Sequence, residues 1–226
     1  MPRSKHVLAP VLAALAAVGL FATALPALAA LQEGVDYRAL QPQPPEPSSA
    51  GPGKIEVVEF FSYACPHCNE FYPKLNAWLA RQQKDVVLRH VPVGFERPPW
   101  VSLERAYYAL QATGDLEKLD GALFHAIHEQ NQPLFDEKAL ADWVGKNGGS
   151  AENFATAYAS FGVNNQTLQA DQMAMDYEVD AVPTLVVAGK YVPLGDEHTE
   201  ILKNADQLIM KVRAERAAAK RAPKAK

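Results

Sequence analysis

The stretch Ile55-Glu56-Val57-Val58-Glu59-Phe60-Phe61, followed shortly afterwards by Cys65-Pro66-His67-Cys68, decides the fold of this chain. The first segment is apolar apart from its two glutamates, which is typical of a central strand in a helix-covered sheet. A helical pattern starts near Pro66, and proline suits the first turn of a helix because its missing N–H is not needed there. Cys65 is therefore predicted to lie at a helix N-terminus, where N–H groups and the helix dipole favour a thiolate.

The two cysteines of this motif are the only cysteines in the chain. Two thiols separated by two residues can close into a small disulfide and reopen. A Cys-x-x-Cys at a strand-to-helix junction is typical of thioredoxin-like redox sites. A loop this small restrains little of the unfolded chain, so the pair suits chemistry better than structural cross-linking.

The N-terminus has the pattern of a secretory signal peptide. A basic start precedes a mostly apolar run from Val7 to Ala24, and Ala27-Leu28-Ala29 forms a small-x-small cleavage site. We expect residues 1–29 to be removed as a signal peptide and the mature protein to be exported. The apolar run would also fit an uncleaved membrane anchor, which is the alternative. A disulfide can persist in the oxidising compartment that export implies.

Strand and helix patterns follow one another in an order that predicts the fold class. A second strand at residues 86–93 follows the motif helix, and strand–helix–strand at this length predicts a right-handed parallel unit. Helical patterns fill residues 100–177, and strand patterns return as a hairpin at Thr184–Val187 and Tyr191-Val192 before a final helix. This order predicts an α/β protein, a thioredoxin fold with an inserted all-helical domain.

Local signals predict smaller features. Residues 35–40 predict a short edge strand, and residues 41–53, rich in proline, serine and glycine, predict a loop. Asp136 is a predicted N-cap, and a helix that starts at Ser150 is predicted to close at Gly162.

Basic residues of the mature chain concentrate at its C-terminal end, whereas the body before that end is acidic. They are Lys211, Arg213, Arg216, Lys220, Arg221, Lys224 and Lys226. We expect residues 213–226 to form a disordered, solvated tail. The alanine-rich sequence could instead extend the last helix, and its charge could contact anionic lipid or a partner. Nucleic-acid binding is not expected, because no basic patch interrupts the acidic body.

Four short segments carry a specific resemblance to a known family. They are Val58-Glu59-Phe60-Phe61-Ser62-Tyr63, Cys65-Pro66-His67-Cys68, Ala181-Val182-Pro183-Thr184 and Gly189-Lys190-Tyr191. In these segments the chain resembles the DsbA family of exported thiol-disulfide oxidoreductases, in which Cys-Pro-His-Cys is the typical motif. The resemblance implies a thioredoxin fold in two parts, residues 30–98 and 178–212, with a helical insertion at residues 99–177.

The resemblance also implies catalytic roles for five residues. Cys65 is expected to be the exposed, reactive thiol and Cys68 its buried partner, with Pro66 and His67 between them. His67 is expected to donate to the Cys65 sulfur or to place positive charge beside it; the alternative is a surface histidine without a role. Glu59 is either a partly solvated acid at a strand end or a buried carboxyl with a proton-transfer role near Cys68, as the matching acid of the family implies.

Val182 and Pro183 are the expected substrate-binding residues. A proline at the first residue of a strand is ordinary in itself. The resemblance makes Pro183 the family's cis-proline, packed against the active disulfide, and leaves the Val182 backbone available to pair with an extended substrate chain.

No metal site and no cofactor are expected. His125 and His128 could share a helix face, but two distant histidines match a Cys-x-x-Cys zinc site poorly. His90 and His198 have no visible partner in the sequence.

The resemblance implies a periplasmic, monomeric enzyme that donates the Cys65–Cys68 disulfide to reduced exported polypeptides. A quinone-linked membrane oxidase of the DsbB type would regenerate it. A low pKa at Cys65 would stabilise the reduced protein and so favour donation. A reductase or isomerase of the same fold and a non-catalytic peptide-binding chaperone are the alternatives. The DsbC type of isomerase carries an N-terminal dimerisation domain, for which this sequence leaves no room, and the intact cysteine pair argues against a chaperone.

Overall fold

The structure of the protein is a computed structural model that describes Met1 and residues 31–41 and 50–221. The predicted signal peptide after Met1, most of the proline-rich loop and residues 222–226 lie outside the described residues. The strands are β1 (Tyr37–Ala39), β2 (Ile55–Phe61), β3 (Val86–Pro92), β4 (Thr184–Val187) and β5 (Tyr191–Pro193). The helices are α1 (Pro66–Leu79), α2 (Pro98–Thr113), α3 (Leu116–His128), α4 (Glu137–Lys146), α5 (Ala151–Tyr158), α6 (Phe161–Asp176) and α7 (His198–Arg221).

Within the described part of the chain, five strands form one mixed sheet in the order β1-β5-β4-β2-β3. β2 pairs in parallel with β3, from Ile55 opposite Val86 to Phe61 opposite Pro92, and antiparallel with β4. The short strand β1 pairs with β5 at the other edge. The predicted parallel unit, hairpin and edge strand are therefore confirmed. Every residue of β2 is buried, as a central strand with covered faces requires.

Two apolar cores hold the central strand from its two faces, because alternate residues of a strand point to opposite sides of the sheet. Val58 and Phe60 enter the core formed with α2–α6, whereas Ile55 and Val57 enter the core formed with α1 and α7. Each fully buried large apolar side chain contributes roughly 1.5–3 kcal/mol. The C-terminal end of β2, where the cysteine motif begins, is therefore rigidly placed.

The helical segment follows the predicted caps with one difference. The Asp136 side chain accepts a hydrogen bond from the Ala139 N–H at 2.9 Å, which confirms it as an N-cap. The helix that starts after Ser150 ends at Tyr158 rather than at Gly162. The Ser160 hydroxyl accepts from the Val163 N–H and begins a new helix, because a capping serine satisfies N–H groups that the first turn leaves open.

The expectation of a disordered tail from residue 213 is wrong for residues 213–221, which continue helix α7. Arg213 donates to both carboxylate oxygens of Asp85 at 2.9 and 2.8 Å, and Arg216 donates to the Lys54 carbonyl O at 2.7 Å. These contacts hold the basic end of α7 against the residues that precede β3 and the central strand β2. Among the described helices, none combines the length and apolar character that crossing a membrane requires.

Candidate active site

The cysteine motif lies where β2 ends and α1 begins. The Cys65 N–H donates to the Ser62 carbonyl O at 3.0 Å, which closes the turn between the two elements. Cys65 is the N-cap of α1 with an extended backbone (φ −90°, ψ 119°), and Pro66 follows in the first turn. The predicted position of Cys65 at a helix N-terminus is therefore confirmed.

Both thiols are reduced, and both are buried. Cys68 is 0% exposed and Cys65 is 5% exposed, so the exposed position predicted for Cys65 is wrong in this form. The loop before β4 lies against it: the Val182 carbonyl O lies 3.5 Å from the Cys65 Sγ, and the thiol donates to it when Cys65 is protonated. Cys65 is nevertheless the more accessible of the two sulfurs.

The pKa of Cys65 is lowered to about 6. A hydrogen bond from the Cys68 thiol is the largest cause, and burial opposes it. The backbone N–H groups of Cys68 and His67 lower the pKa further, and the charge of His67 contributes least. The helix N-terminus thus acts on the sulfur through its N–H groups.

The pKa of Cys68 is raised far above that of an ordinary thiol, mainly because burial disfavours its charged form. The hydrogen bond it gives to Cys65, the charge of Cys65 and the charge of Glu59 raise it further. In the reduced protein the negative charge therefore resides on Cys65 and the proton on Cys68.

His67 lies on the surface beside the motif. Its side chain is 70% exposed, and its Nδ1 lies 3.9 Å from the Glu70 Oε2. The structure thus places His67 close enough to act on Cys65 through charge, and its backbone N–H acts on the sulfur more strongly than its ring.

The Val182–Pro183 peptide bond is cis, as predicted. It lies directly before β4, whose first residue Thr184 pairs with Phe60 of the central strand. This pairing brings the loop against Cys65, although residue 182 and Cys65 are far apart in sequence.

Glu59 is buried in the central strand, 2% exposed, which excludes the solvated strand-end alternative. Its Oε2 lies 2.5 Å from the Nδ1 of His90, the residue directly opposite it on β3. The sequence-based view that His90 has no partner is therefore wrong. The parallel pairing of the two strands decides this contact, and only the register reveals it.

Sequence reasoning also missed a polar support behind the motif. The Nε2 of His128 lies 2.7 Å from the Tyr63 carbonyl O, and the Tyr63 hydroxyl donates to Asp120. Both partners come from α3, more than fifty residues away, and no local pattern signals them. Within the described residues, no three His, Cys, Asp or Glu side chains cluster as a metal site would require.

Comparisons with known proteins agree with this geometry. A family model described as a DSBA-like thioredoxin domain matches residues 56–206. The chain is 37% identical over 205 residues to the thiol:disulfide interchange protein DsbA of Burkholderia cepacia, across 91% of this chain and 94% of that relative. It is 37% identical over 211 residues to the protein of the same name from Pseudomonas syringae pv. tomato, across 92% and 97%.

Solved structures show the same similarity in three dimensions. DsbA from Pseudomonas aeruginosa has a TM-score of 0.74 and 36% identity, across 83% of this chain and 96% of that chain. The oxidoreductase DsbA from Xylella fastidiosa has a TM-score of 0.75 and 33% identity, across 81% and 98%.

Proposed function

This chain belongs to the DsbA family and is a thiol:disulfide oxidoreductase with a thioredoxin fold and a helical insertion, and from this premise we propose that it is an oxidase that donates the Cys65–Cys68 disulfide to reduced polypeptides. The direction of disulfide transfer is inferred from the pKa values of the two thiols, which are shifted in opposite directions. The pKa of Cys65 is lowered to about 6, so the reduced protein holds a stabilised thiolate. A stabilised reduced form makes the oxidised form a strong oxidant.

The reaction begins when a substrate thiolate attacks the Sγ of Cys65 in the oxidised protein. The bond between the two motif sulfurs breaks, a bond between the substrate sulfur and Cys65 forms, and Cys68 leaves as a thiolate that takes up a proton. A second substrate thiolate then attacks the substrate sulfur of the mixed disulfide. Cys65 leaves as a thiolate, which its low pKa favours, and the substrate departs with a new disulfide.

Glu59 is proposed as the group that exchanges a proton with Cys68. The two side chains are buried together, and the charge of Glu59 contributes to the raised pKa of the Cys68 thiol. A thiolate expelled into an apolar site needs a proton at once, because burial without a partner disfavours its charge. A buried carboxyl group next to it can supply that proton.

Val182 and Pro183 are proposed to receive the substrate chain. Val182 is partly exposed and its carbonyl O faces the Cys65 sulfur at 3.5 Å. An extended peptide that pairs with this backbone would bring its own sulfur to Cys65, as in strand addition. Pro66 holds the first turn of α1 beside it, and His67 adjusts the charge around the sulfur.

The proposed compartment, substrates and redox partner are those that membership of the DsbA family implies. The proposed enzyme acts as a monomer in the periplasm after cleavage of residues 1–29, and its substrates are reduced exported polypeptides. A quinone-linked membrane oxidase of the DsbB type would restore the disulfide. N-terminal sequencing of protein purified from the periplasm is expected to begin at Ala30.

The reduction potential tests the direction of the reaction. The protein is equilibrated with glutathione buffers, and the oxidised form is mixed with a peptide that carries two thiols. We expect a potential more oxidising than that of the glutathione couple and rapid oxidation of the peptide, with no transfer by Cys65→Ser because the disulfide that is donated cannot form. A potential more reducing than glutathione, with preferred reduction of a disulfide peptide, would make the protein a reductase.

A further inference from the structure

Glu59 is linked to the protein surface through His90. The two residues face each other on the parallel strands β2 and β3, with Nδ1 and Oε2 2.5 Å apart. The Glu59 side chain is 3% exposed, whereas that of His90 is 23% exposed. The pair therefore extends from the neighbourhood of Cys68 towards solvent.

His90 also lines an open cleft between the edge strand β3 and helices α2 and α6. The cleft has a volume of about 380 Å³. Its polar lining includes Glu56, Arg89, His90, Gln111, Gln166 and Gln169. A cleft of this size and polarity holds water, so His90 lies between bulk solvent and the buried acid.

The proposed reaction needs such a connection. Cys68 is 0% exposed and Glu59 is 2% exposed, so neither meets solvent directly. One proton must nevertheless reach Cys68 each time the disulfide is donated, and one must leave each time the disulfide is restored. A carboxyl group that supplies a proton must itself be recharged before the next cycle.

We propose that His90 is a positioning and proton-relay residue that connects Glu59 with the water of this cleft. When Cys68 leaves as a thiolate, the protonated imidazole of His90 passes its Nδ1 proton to the Glu59 carboxylate, Glu59 passes a proton on to Cys68, and cleft water recharges the imidazole. Regeneration of the disulfide runs the same transfers in reverse. The inference rests on the proposed role of Glu59, and the electrons move only between sulfur atoms.

The charges around His90 favour the protonated imidazole. The groups that face it are Glu59 from β2, Asp120 from α3 and Tyr107 from α2, with Arg89 and Glu56 at the cleft and only uncharged glutamines from α6. Burial lowers the pKa of His90, but the hydrogen bond to Glu59 and the charges of Glu59 and Asp120 outweigh it, so the pKa is raised. The charged form of His90 is therefore favoured relative to a free histidine, and it loses its proton as pH rises through the raised pKa.

The test measures single-turnover transfer of the disulfide from the full-length oxidised protein to a dithiol peptide between pH 5 and 9. We expect His90→Ala to be at least about tenfold slower near pH 6, since a lost proton-transfer group typically costs more than that. The ratio of wild-type to variant rates should fall towards one as pH rises, and this ratio cancels the ionisation of the peptide. Free imidazole, which the cleft can admit, should restore part of the rate.

The control is His125→Ala, which removes an exposed histidine of α3 whose partner is Glu129; it should keep the wild-type rate and profile. A wild-type rate in His90→Ala, or a slow rate that neither pH nor imidazole changes, would overturn the relay. If His90→Ala fails to fold, His90→Gln replaces it, because an amide can bond to Glu59 but cannot relay a proton. A wild-type rate in a folded His90→Gln would equally overturn the inference.

Glu59→Gln separates this inference from the proposed function. If Glu59→Gln is slow and His90→Ala is not, the relay fails and the role of Glu59 stands. If neither variant is slow, the role of Glu59 fails as well. If the wild-type protein transfers no disulfide, the oxidase function itself fails. In the double variant, the two effects should not add, because both residues serve one path.

Discussion

The two cysteine thiols lie within one turn of helix α1, yet the pKa of one is lowered and that of the other is raised. Cys65 receives a hydrogen bond from Cys68 and N–H groups from the first turn of α1, and its pKa falls to about 6. Cys68 lies a turn deeper, where burial raises its pKa. The hydrogen bond between the two thiols and the burial of Cys68 account for most of this difference, and the N–H groups of the helix N-terminus add to it.

Replacement of His67 by alanine should raise the pKa of Cys65 by less than one unit. The His67 ring is 70% exposed and its charge is the smallest of the named causes, whereas the backbone N–H of residue 67 stays in the variant. One pKa unit corresponds to about 1.36 kcal/mol and so to about 30 mV, and the potential should become more reducing by less than that. Thiolate absorbance and glutathione equilibration measure both quantities. A larger shift would show that the His67 side chain, and not the helix backbone, dominates.

At the scale of elements, helix α7 does more than cover the sheet. Its buried residues fill the core beside α1, and its C-terminal part reaches the start of β3 through Arg213 and the start of β2 through Arg216. Tyr191 of β5 donates to Glu215 at 2.7 Å in the same region. The basic end of the helix thus contacts the residues just before β2 and β3, at the end of these strands opposite the cysteine motif.

A chain that ends at Val212 should be less stable than the full chain by about 2 kcal/mol, since it loses two partly exposed ion pairs, Arg213–Asp85 and Lys211–Glu215, and two further hydrogen bonds. The matched control ends at Arg221 and should keep the full stability. Urea unfolding of both truncated proteins measures the effect. Identical midpoints for the two truncations would show that these contacts contribute nothing.

At the scale of the whole molecule, the redox state of one disulfide is coupled to the stability of the fold. Reduction creates a thiolate that the folded protein stabilises and the unfolded chain does not. The reduced form should therefore be the more stable one near neutral pH. The same stabilisation of the reduced form makes the disulfide a stronger oxidant.

The stability difference between the reduced and oxidised forms should grow from pH 5 to pH 8. The folded pKa of Cys65, about 6, lies below the unfolded value near 8.5. Such a group stabilises the folded state fully above the unfolded pKa and loses its contribution as pH falls through the folded pKa. The full effect is on the order of 3 kcal/mol. Above pH 8.5 the raised pKa of Cys68 opposes it.

Urea unfolding of both redox forms at several pH values measures this difference. The oxidised form serves as the control, since it has no titrating thiol. A difference that stays constant with pH, or an oxidised form that is more stable at pH 7, would contradict the stabilised thiolate.

Local sequence was sufficient for the order of the elements and for the position of the reactive thiol. The apolar run of β2, the proline after Cys65 and the turn-forming residues act within a few positions of themselves. Such signals are readable because strand burial, helix starts and turns depend on neighbouring residues. The prediction of a disordered tail from residue 213 was wrong for residues 213–221. The contacts that hold this segment come from distant parts of the chain, and local sequence signals do not reveal them.

Only the tertiary structure decided which side chains surround the two sulfurs. The chain's own pattern placed an acid on the central strand, but the register of β2 against β3 set His90 opposite Glu59. The pairing of β4 with β2 brought Val182 to Cys65, and the packing of α3 brought Asp120 to Tyr63. These contacts join residues that are distant in sequence, and they depend on strand register and helix packing, which no local pattern encodes.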